Sequence, residues 1–401
     1  MAPAPSAAAA AAAACDLDHL LRPLHWGAIL RHPRSAATSP LLFRLRTLTV
    51  ATFAVSFFCS EIVVISRQGT AELDVFILML SVTDTIANWL FRVALTTLSE
   101  RHFHKLALQV SQDFAEFATW DDVPLLRSQS RTVRRFTLGY ICFGFCTCGY
   151  FLSLPCSDEG LPYILALPFD ATQPVGFAFA FLYCTIVGAH TVVMSITLNA
   201  FSISLIAQLR MQLTLLNRKI ANLAKAVPKK LKHSSDTSVG HDLPYRLKKC
   251  ILHHQAIIKN VDLLQRCLGV MLLGQSVSIG SAACFQMYQI ATRAEYGLLQ
   301  MAKFGCYLII LLAELFIYCW FGDDLITESE NVALMAYDAV TSLQESPLSV
   351  KKSLLLLMHR AQRPMCVTAR GFFPFSRKSF VSVLRVSYSF FAILRNFQKE
   401  E

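Results

Sequence analysis

Apolar residues gather in this chain into runs longer than a water-soluble helix needs. Seven stretches qualify: Thr47–Ser66, Val75–Leu98, Phe136–Cys156, Gly176–Leu198, Cys267–Ile290, Leu298–Phe321 and Phe380–Phe397. Each has roughly the 17–25 residues that carry a helix across a bilayer. The last is the least apolar, because Arg385 and Arg395 fall inside it. Between the runs the pattern changes to helical spacing with one polar face. Phe103, Leu106, Val110, Phe114 and Phe117 recur at three and four residues, which predicts an amphipathic helix within Glu100–Arg135. Leu209, Met211, Leu213, Leu216, Ile220, Leu223 and Ala226 carry the fourth helix beyond the membrane as far as Pro228. A mobile loop follows at His233–Asp242, and from Pro244 the stripe Leu247, Ile251, Ile258, Val261, Leu264 and Leu268 leads into the fifth span. These two extensions are expected to pair as a hairpin beneath the membrane. After Trp320-Phe321-Gly322 a new helix is expected around Glu328–Tyr337, and Leu348–Arg360 reads as an apolar helix too short to cross.

The chain is therefore an all-α polytopic membrane protein. It divides into an N-terminal segment (1–46), helices one to four (47–209), a helical loop (210–266), helices five and six (267–321), an anchor region (322–379) and a seventh helix with a short tail (380–401). Composition agrees: charged residues make up 16% of the chain against the usual quarter of a soluble domain. Lys and Arg are retained on the cytoplasmic side, so they set the orientation. The eight stretches outside the spans carry 5, 1, 6, 0, 12, 1, 7 and 1 of them. Alternate stretches thus hold 30 against 3, which predicts a cytoplasmic N-terminus and an extracellular C-terminus. That order is the reverse of a G-protein-coupled receptor, and no Asp-Arg-Tyr or Asn-Pro-x-x-Tyr is present. The net charge of +10 belongs to loops beside anionic lipid and does not point to nucleic acid.

The remaining segments carry little chemistry. Met1–Ala14 reads as an uncleaved cytoplasmic tail, and Leu20, Leu21, Leu24, Trp26 and Leu30 as a short interfacial helix. Ser157–Val175, with Pro162, Pro168 and Pro174, reads as a folded-over lid. Cys residues lie mostly inside spans, where a thiol packs as a small apolar group, and a bridge from Cys156 to Cys59 or Cys184 is weakly supported. Cys250, His253 and His254 have zinc-like spacing but no distant fourth ligand, so no metal and no cofactor are expected. Arg101, His102, His104 and Lys105 read as a solvated helix face. Glu61, Asp84 and Arg92 lie within spans, where a charge is costly unless it faces protein or water, so each is a functional candidate; Glu61, near a helix end, could reach water instead. No His-Glu-x-x-His, Gly-x-Ser-x-Gly or internal repeat is present, which argues against an enzyme and against a transporter.

The C-terminal third carries a family resemblance. Phe321-Gly322-Asp323-Asp324-Leu325-Ile326-Thr327-Glu328-Ser329-Glu330, Ala336-Tyr337-Asp338, Leu354–Pro364 with Thr368-Ala369, Gly371-Phe372-Phe373-Pro374 with Ser379-Phe380, and Ser387-Tyr388-Ser389-Phe390-Phe391 resemble the last cytoplasmic loop and seventh helix of insect odorant receptors. The likeness covers about residues 250–397, where His254-Gln255 ahead of Val261-Asp262-Leu263-Leu264 is similar as well, and it supports Phe380–Phe397 as the seventh crossing. The ending differs from that of gustatory receptors, the nearest alternative, and of the shared co-receptor.

The resemblance implies a ligand-gated cation channel in the plasma membrane of sensory neurons. Four subunits, including the co-receptor in a hetero-tetramer, would surround a pore lined by seventh helices, and the cytoplasmic helices would form a central anchor. It implies a small volatile ligand held in the outer half of the bundle. The aromatic and thioether groups placed there are Phe76, Met79, Tyr150, Phe151, Phe181, Tyr183, Met301 and Phe304, with Asp84 as a polar candidate. Ser389, Phe390, Ile393 and Phe397 are the expected pore-lining positions.

Overall fold

Hydrocarbon offers no hydrogen bonds, so a crossing segment must pair its own N–H and C=O groups, and a helix does so internally. In the computed structural model every described residue of the long apolar runs is helical. The structure describes residues 16–32, 39–68, 73–153, 160–170, 172–230, 239–292, 297–343 and 346–400, with side chains at all of these except 68, 74, 224–230, 239–242, 300 and 397–400. The helices are α1 (Asp18–Trp26), α2 (Pro40–Gln68), α3 (Leu73–Leu98), α4 (Glu100–Phe117), α5 (Val123–Ser153), α6 (Pro174–Lys230), α7 (Val239–Thr292), α8 (Leu298–Ser342), α9 (Leu348–Ala361) and α10 (Arg377–Glu400). Among the described residues the only extended pairing is one antiparallel bridge, Thr368 to Pro374. Met1–Ala14, Cys156, Arg293 and residues 233–238 of the polar loop lie outside the described residues.

Among the described residues six helices, α2, α3, α5, α6, α7 and α8, are long and apolar enough to cross a membrane. The 24 residues of α10 also reach far enough, about 36 Å at 1.5 Å per residue, but its apolar residues lie largely to one side. Three helices are much longer than a bilayer. With 57, 54 and 45 residues, α6, α7 and α8 run about 85, 80 and 70 Å against a hydrocarbon core of about 30 Å, so each continues well beyond the bundle. α6, α7 and α8 pack on one another along their length, and α4 and α9 cover the extensions.

The five residues with helical spacing in α4, Phe103, Leu106, Val110, Phe114 and Phe117, are all buried, against α6 and α7. The expected helix within Glu100–Arg135 is in fact two. Asp122 Oδ2 accepts from the Thr119 hydroxyl at 2.6 Å and the Thr119 N–H at 3.0 Å, closing a tight turn after which α5 begins. A second difference is at Gly322, where no new helix starts: α8 runs unbroken from Leu298 to Ser342. A Cβ at Gly322 would lie 2.4 Å from the Phe375 carbonyl oxygen, so the glycine lets the segment ahead of α10 lie directly on the helix. α6 likewise continues through Pro228 to Lys230, and α7 begins at Val239, ahead of Pro244. His253 is buried and stacks on Phe117, with ring centroids 4.4 Å apart.

The chain reaches α10 through a small hairpin. Phe375 N–H donates to Val367 O and Ala369 N–H to Phe373 O, both at 2.9 Å, with Arg370 and Gly371 at positive φ at its tip. α10 then packs on α7 and α8, with Phe380 edge-on to Phe316 at 5.4 Å and Ser387 buried opposite Gly280. At the other end of the bundle residues 160–170 form no helix. They fold over it instead, with Leu161 and Tyr163 buried and Ser60 Oγ donating to Ala166 O at 2.8 Å. α1 buries Leu20, Leu21 and Leu24 against α6, and Arg46 lies 5.9 Å from the ring centroid of the exposed Trp26.

Candidate functional site

Five helices, α3, α5, α6, α7 and α8, line a cavity of about 140 Å³, to which the loop contributes Tyr163. Its upper wall is apolar and aromatic, with Leu78 and Val82 from α3, Phe151 from α5, and Phe304 and Tyr307 from α8. Gly188 supplies room, since Tyr163 Oη would lie 2.7 Å from a Cβ there. The middle is mixed: Thr85 Oγ1 meets Tyr307 Oη at 2.7 Å, and Asn88, Thr147, Thr191 and Ser195 face the space beside Ile196 and Ile310.

The floor, toward the helical extensions, is a buried polar network. Arg92 donates to Asn199 Oδ1 at 2.5 Å, which also accepts from Gln275 Nε2 at 3.0 Å and Tyr318 Oη at 3.2 Å. Asn199 Nδ2 donates to Tyr140 Oη at 3.1 Å, and Tyr140 donates to Glu314 Oε2 at 2.8 Å. One cation and one anion are thus joined through a shared amide and phenol, which is how a charge is tolerated in a low-dielectric interior. The network links all five cavity helices, because Arg92, Tyr140, Asn199, Gln275 and Glu314 come one from each.

Of the positions expected to meet a ligand, Phe151 and Phe304 line this cavity. Asp84 lies beside it, accepting from Ser278 at 2.9 Å and Ser281 at 3.1 Å, and Ser278 is itself a lining residue. Met79 lines a small adjoining void with Glu61. Glu61 is only 2% exposed and accepts from Thr83 at 3.2 Å, so it does not reach water. Tyr183 turns to α2, where its hydroxyl meets Ser56 Oγ at 2.7 Å, and Tyr150 donates to Leu299 O at 2.9 Å. Phe181 stacks on Phe177 at the surface, and Phe76 and Met301 are half-buried away from the cavity. On α10, Ser389, Phe390 and Ile393 are exposed, and the side chain of Phe397 lies outside the described residues.

Sequence reasoning missed Glu314, Tyr140, Thr191 and Gln286. Glu314 carried a usable signal, a carboxylate inside an apolar run, which is the criterion that singled out Asp84 and Arg92. Thr191, Tyr140 and Gln286 carried none, since a neutral polar residue in a crossing helix is common and its direction is set by packing.

Comparison with known proteins places this arrangement. The chain is 24% identical to odorant receptor Or2 of Anopheles gambiae over 316 residues, covering 77% of this chain and 81% of that one. It is 23% identical to odorant receptor 10 of Aedes albopictus over 314 residues, covering 77% and 80%. Its fold matches the olfactory receptor OR5 of Machilis hrabei, solved in complex with eugenol, with a TM-score of 0.81 over 95% of this chain and 97% of that one at 13% identity. Such relatives are multi-pass membrane receptors and not enzymes, in keeping with six apolar crossing helices here. The 7tm odorant receptor family model matches residues 72–388, and the chain belongs to that family.

Proposed function

We propose that this chain is the ligand-tuned subunit of an odorant-gated cation channel, acting with a shared co-receptor in a hetero-tetramer of the sensory-neuron plasma membrane. The observation that carries this reading is the cavity among α3, α5, α6, α7 and α8. At about 140 Å³ it is close to the size of an apolar cavity that takes up benzene, which is the scale of a volatile molecule. The M. hrabei receptor, solved with eugenol, gives a small odorant as a ligand on this fold. Burial of some 250 Å² of odorant surface supplies roughly 6 kcal/mol at about 25 cal/mol per Å² before association costs, so binding is micromolar or weaker.

α10 completes the reading as the seventh crossing, with the N-terminus cytoplasmic and the C-terminus outside. One face packs on the bundle through Phe380, Val383 and Ser387, while Ser389, Phe390 and Ile393 stand exposed. A helix that also carries Arg385, Arg395 and Asn396 suits a wet pore wall better than lipid. Exposed Leu334 and Tyr337 on the α8 extension and Leu348 and Leu356 on α9 would be covered by neighbouring subunits as the anchor. Gating needs differential affinity: a tenfold preference for the open form shifts the equilibrium by about 1.4 kcal/mol per site, so the resting state is near balance or several sites act together.

The test is to express the chain with and without an insect co-receptor and record currents to a broad odour panel. Odorant-evoked current that requires both subunits is expected. Current without the co-receptor, or none with it despite surface labelling, would overturn the proposal.

A further inference from the structure

We propose that the cavity selects compact alcohols over hydrocarbons and carbonyl compounds of the same shape, an inference that rests on the receptor reading above. Among the described residues, four polar atoms of the lining have no hydrogen-bond partner: Asn88 Oδ1 and Arg92 Nε on α3, Thr191 Oγ1 on α6 and Gln286 Oε1 on α7. Arg92, Thr191 and Gln286 are each only 2% exposed, so outside solvent does not satisfy them. Buried polar groups are otherwise nearly always paired, and an unpaired one costs more than a bond contributes. The lining is therefore complementary to a ligand that brings polar atoms of its own.

The kinds of atom left open decide which ligand. Asn88 Oδ1 and Gln286 Oε1 only accept, Arg92 Nε only donates, and the Thr191 hydroxyl does either. An alcohol donates as well as accepts through its oxygen, so it can pair with an open amide oxygen, which no carbonyl compound can. A ketone, aldehyde or ester accepts only and leaves both amide oxygens bare. A hydrocarbon leaves all four. A volume near that of a benzene-binding cavity limits the ligand to about one ring.

The test records currents from the full chain with an insect co-receptor in two shape-matched series: toluene, benzaldehyde and benzyl alcohol, then methylcyclohexane, cyclohexanone and cyclohexanol. In each series the alcohol is expected to act at a concentration about tenfold lower than its two counterparts, the effect of one buried polar atom gaining a partner. In the double variant Asn88→Leu, Gln286→Met, which removes both open amide oxygens, that advantage should fall to about threefold or less, and a current to any of the six probes shows that the receptor is folded. If the double variant is silent, Asn88→Leu and Gln286→Met are read singly, and at least one should lessen the alcohol advantage. Equal sensitivity across each series in the unmodified chain, or an alcohol advantage that the variants leave intact, would overturn the inference and spare the receptor reading. Silence of the surface-labelled chain to these probes and to a broad odour panel would overturn both.

Discussion

Gln265 and Thr368 hold each other through two hydrogen bonds: the amide Nε2 donates to the Thr368 carbonyl at 2.8 Å, and the Thr368 N–H donates to Oε1 at 2.9 Å. A side chain on α7 thus imitates a strand edge and fixes the hairpin that delivers α10. Replacing Gln265 with Leu leaves the Thr368 N–H unpaired at a part-buried site, while its carbonyl keeps the Arg370 N–H at 2.9 Å. A loss of about 1–3 kcal/mol is expected. It should appear as a lower melting temperature of the detergent-purified protein, and an unchanged melt would show that the hairpin is held by other contacts.

Gly322 makes a second, independent prediction about the same junction. Gly322→Ala forces a Cβ to within 2.4 Å of the Phe375 carbonyl oxygen, whereas a Cβ at Gly149 on α5 meets nothing within 4 Å. Alanine is the better helix former by about 1 kcal/mol at an unhindered site. The melting temperature should therefore fall for Gly322→Ala and hold or rise for Gly149→Ala. Equal behaviour of the two would mean that the hairpin moves aside at no cost.

The floor of the cavity is expected to behave as one unit. Arg92→Met leaves the buried Glu314 without its cation and should cost about 3–5 kcal/mol. Adding Glu314→Gln removes the stranded charge and should recover a good part of that loss. A double-mutant cycle on thermal stability reads the coupling, and strictly additive losses would show that the two charges do not sense each other.

Acid should loosen the N-terminal helix. His25 is buried, stacked on Phe43 with ring centroids 5.3 Å apart, and burial, followed by the charges of Arg46, His32 and Arg31, holds its pKa below 6.5. The unfolded segment binds a proton near pH 6.5 and the folded ring only at lower pH. Stability is therefore complete above 6.5 and declines as pH falls from there toward the folded value. Hydrogen exchange across residues 18–32 should accelerate on acidification in the unmodified chain. His25→Phe should flatten that dependence while weakening the segment slightly at pH 7.5, because the His32 N–H loses its acceptor, His25 Nδ1. An equally steep acid response in the variant would exclude His25 as the cause.

Much of the architecture was legible in the sequence because two solvents impose two different patterns. Where a helix lies between core and water, only one face can be apolar, so α4 was readable down to its five buried residues, Phe103, Leu106, Val110, Phe114 and Phe117. Where a run must lie in hydrocarbon it is apolar all round, so its existence was plain for α2, α3, α5, α6, α7 and α8. The breaks were harder. Gly322 reads as a helix end, and only Phe375, 53 residues later, explains why the helix runs through it.

Sequence by itself determined the helical class, the six apolar crossings and the family of this protein. Tertiary structure decided which residues share the cavity. In lipid both the outward and the inward face of a helix are apolar, so the pattern that betrays a buried face in water carries no direction here. Phe181 and Phe304 were indistinguishable along the chain, yet one lies at the surface and the other lines the cavity. Arg92, Tyr140, Asn199, Gln275 and Glu314 are spread over 222 positions of sequence, and no local rule joins them. Packing does, because a buried charge in hydrocarbon is stable only where five helices bring partners to it.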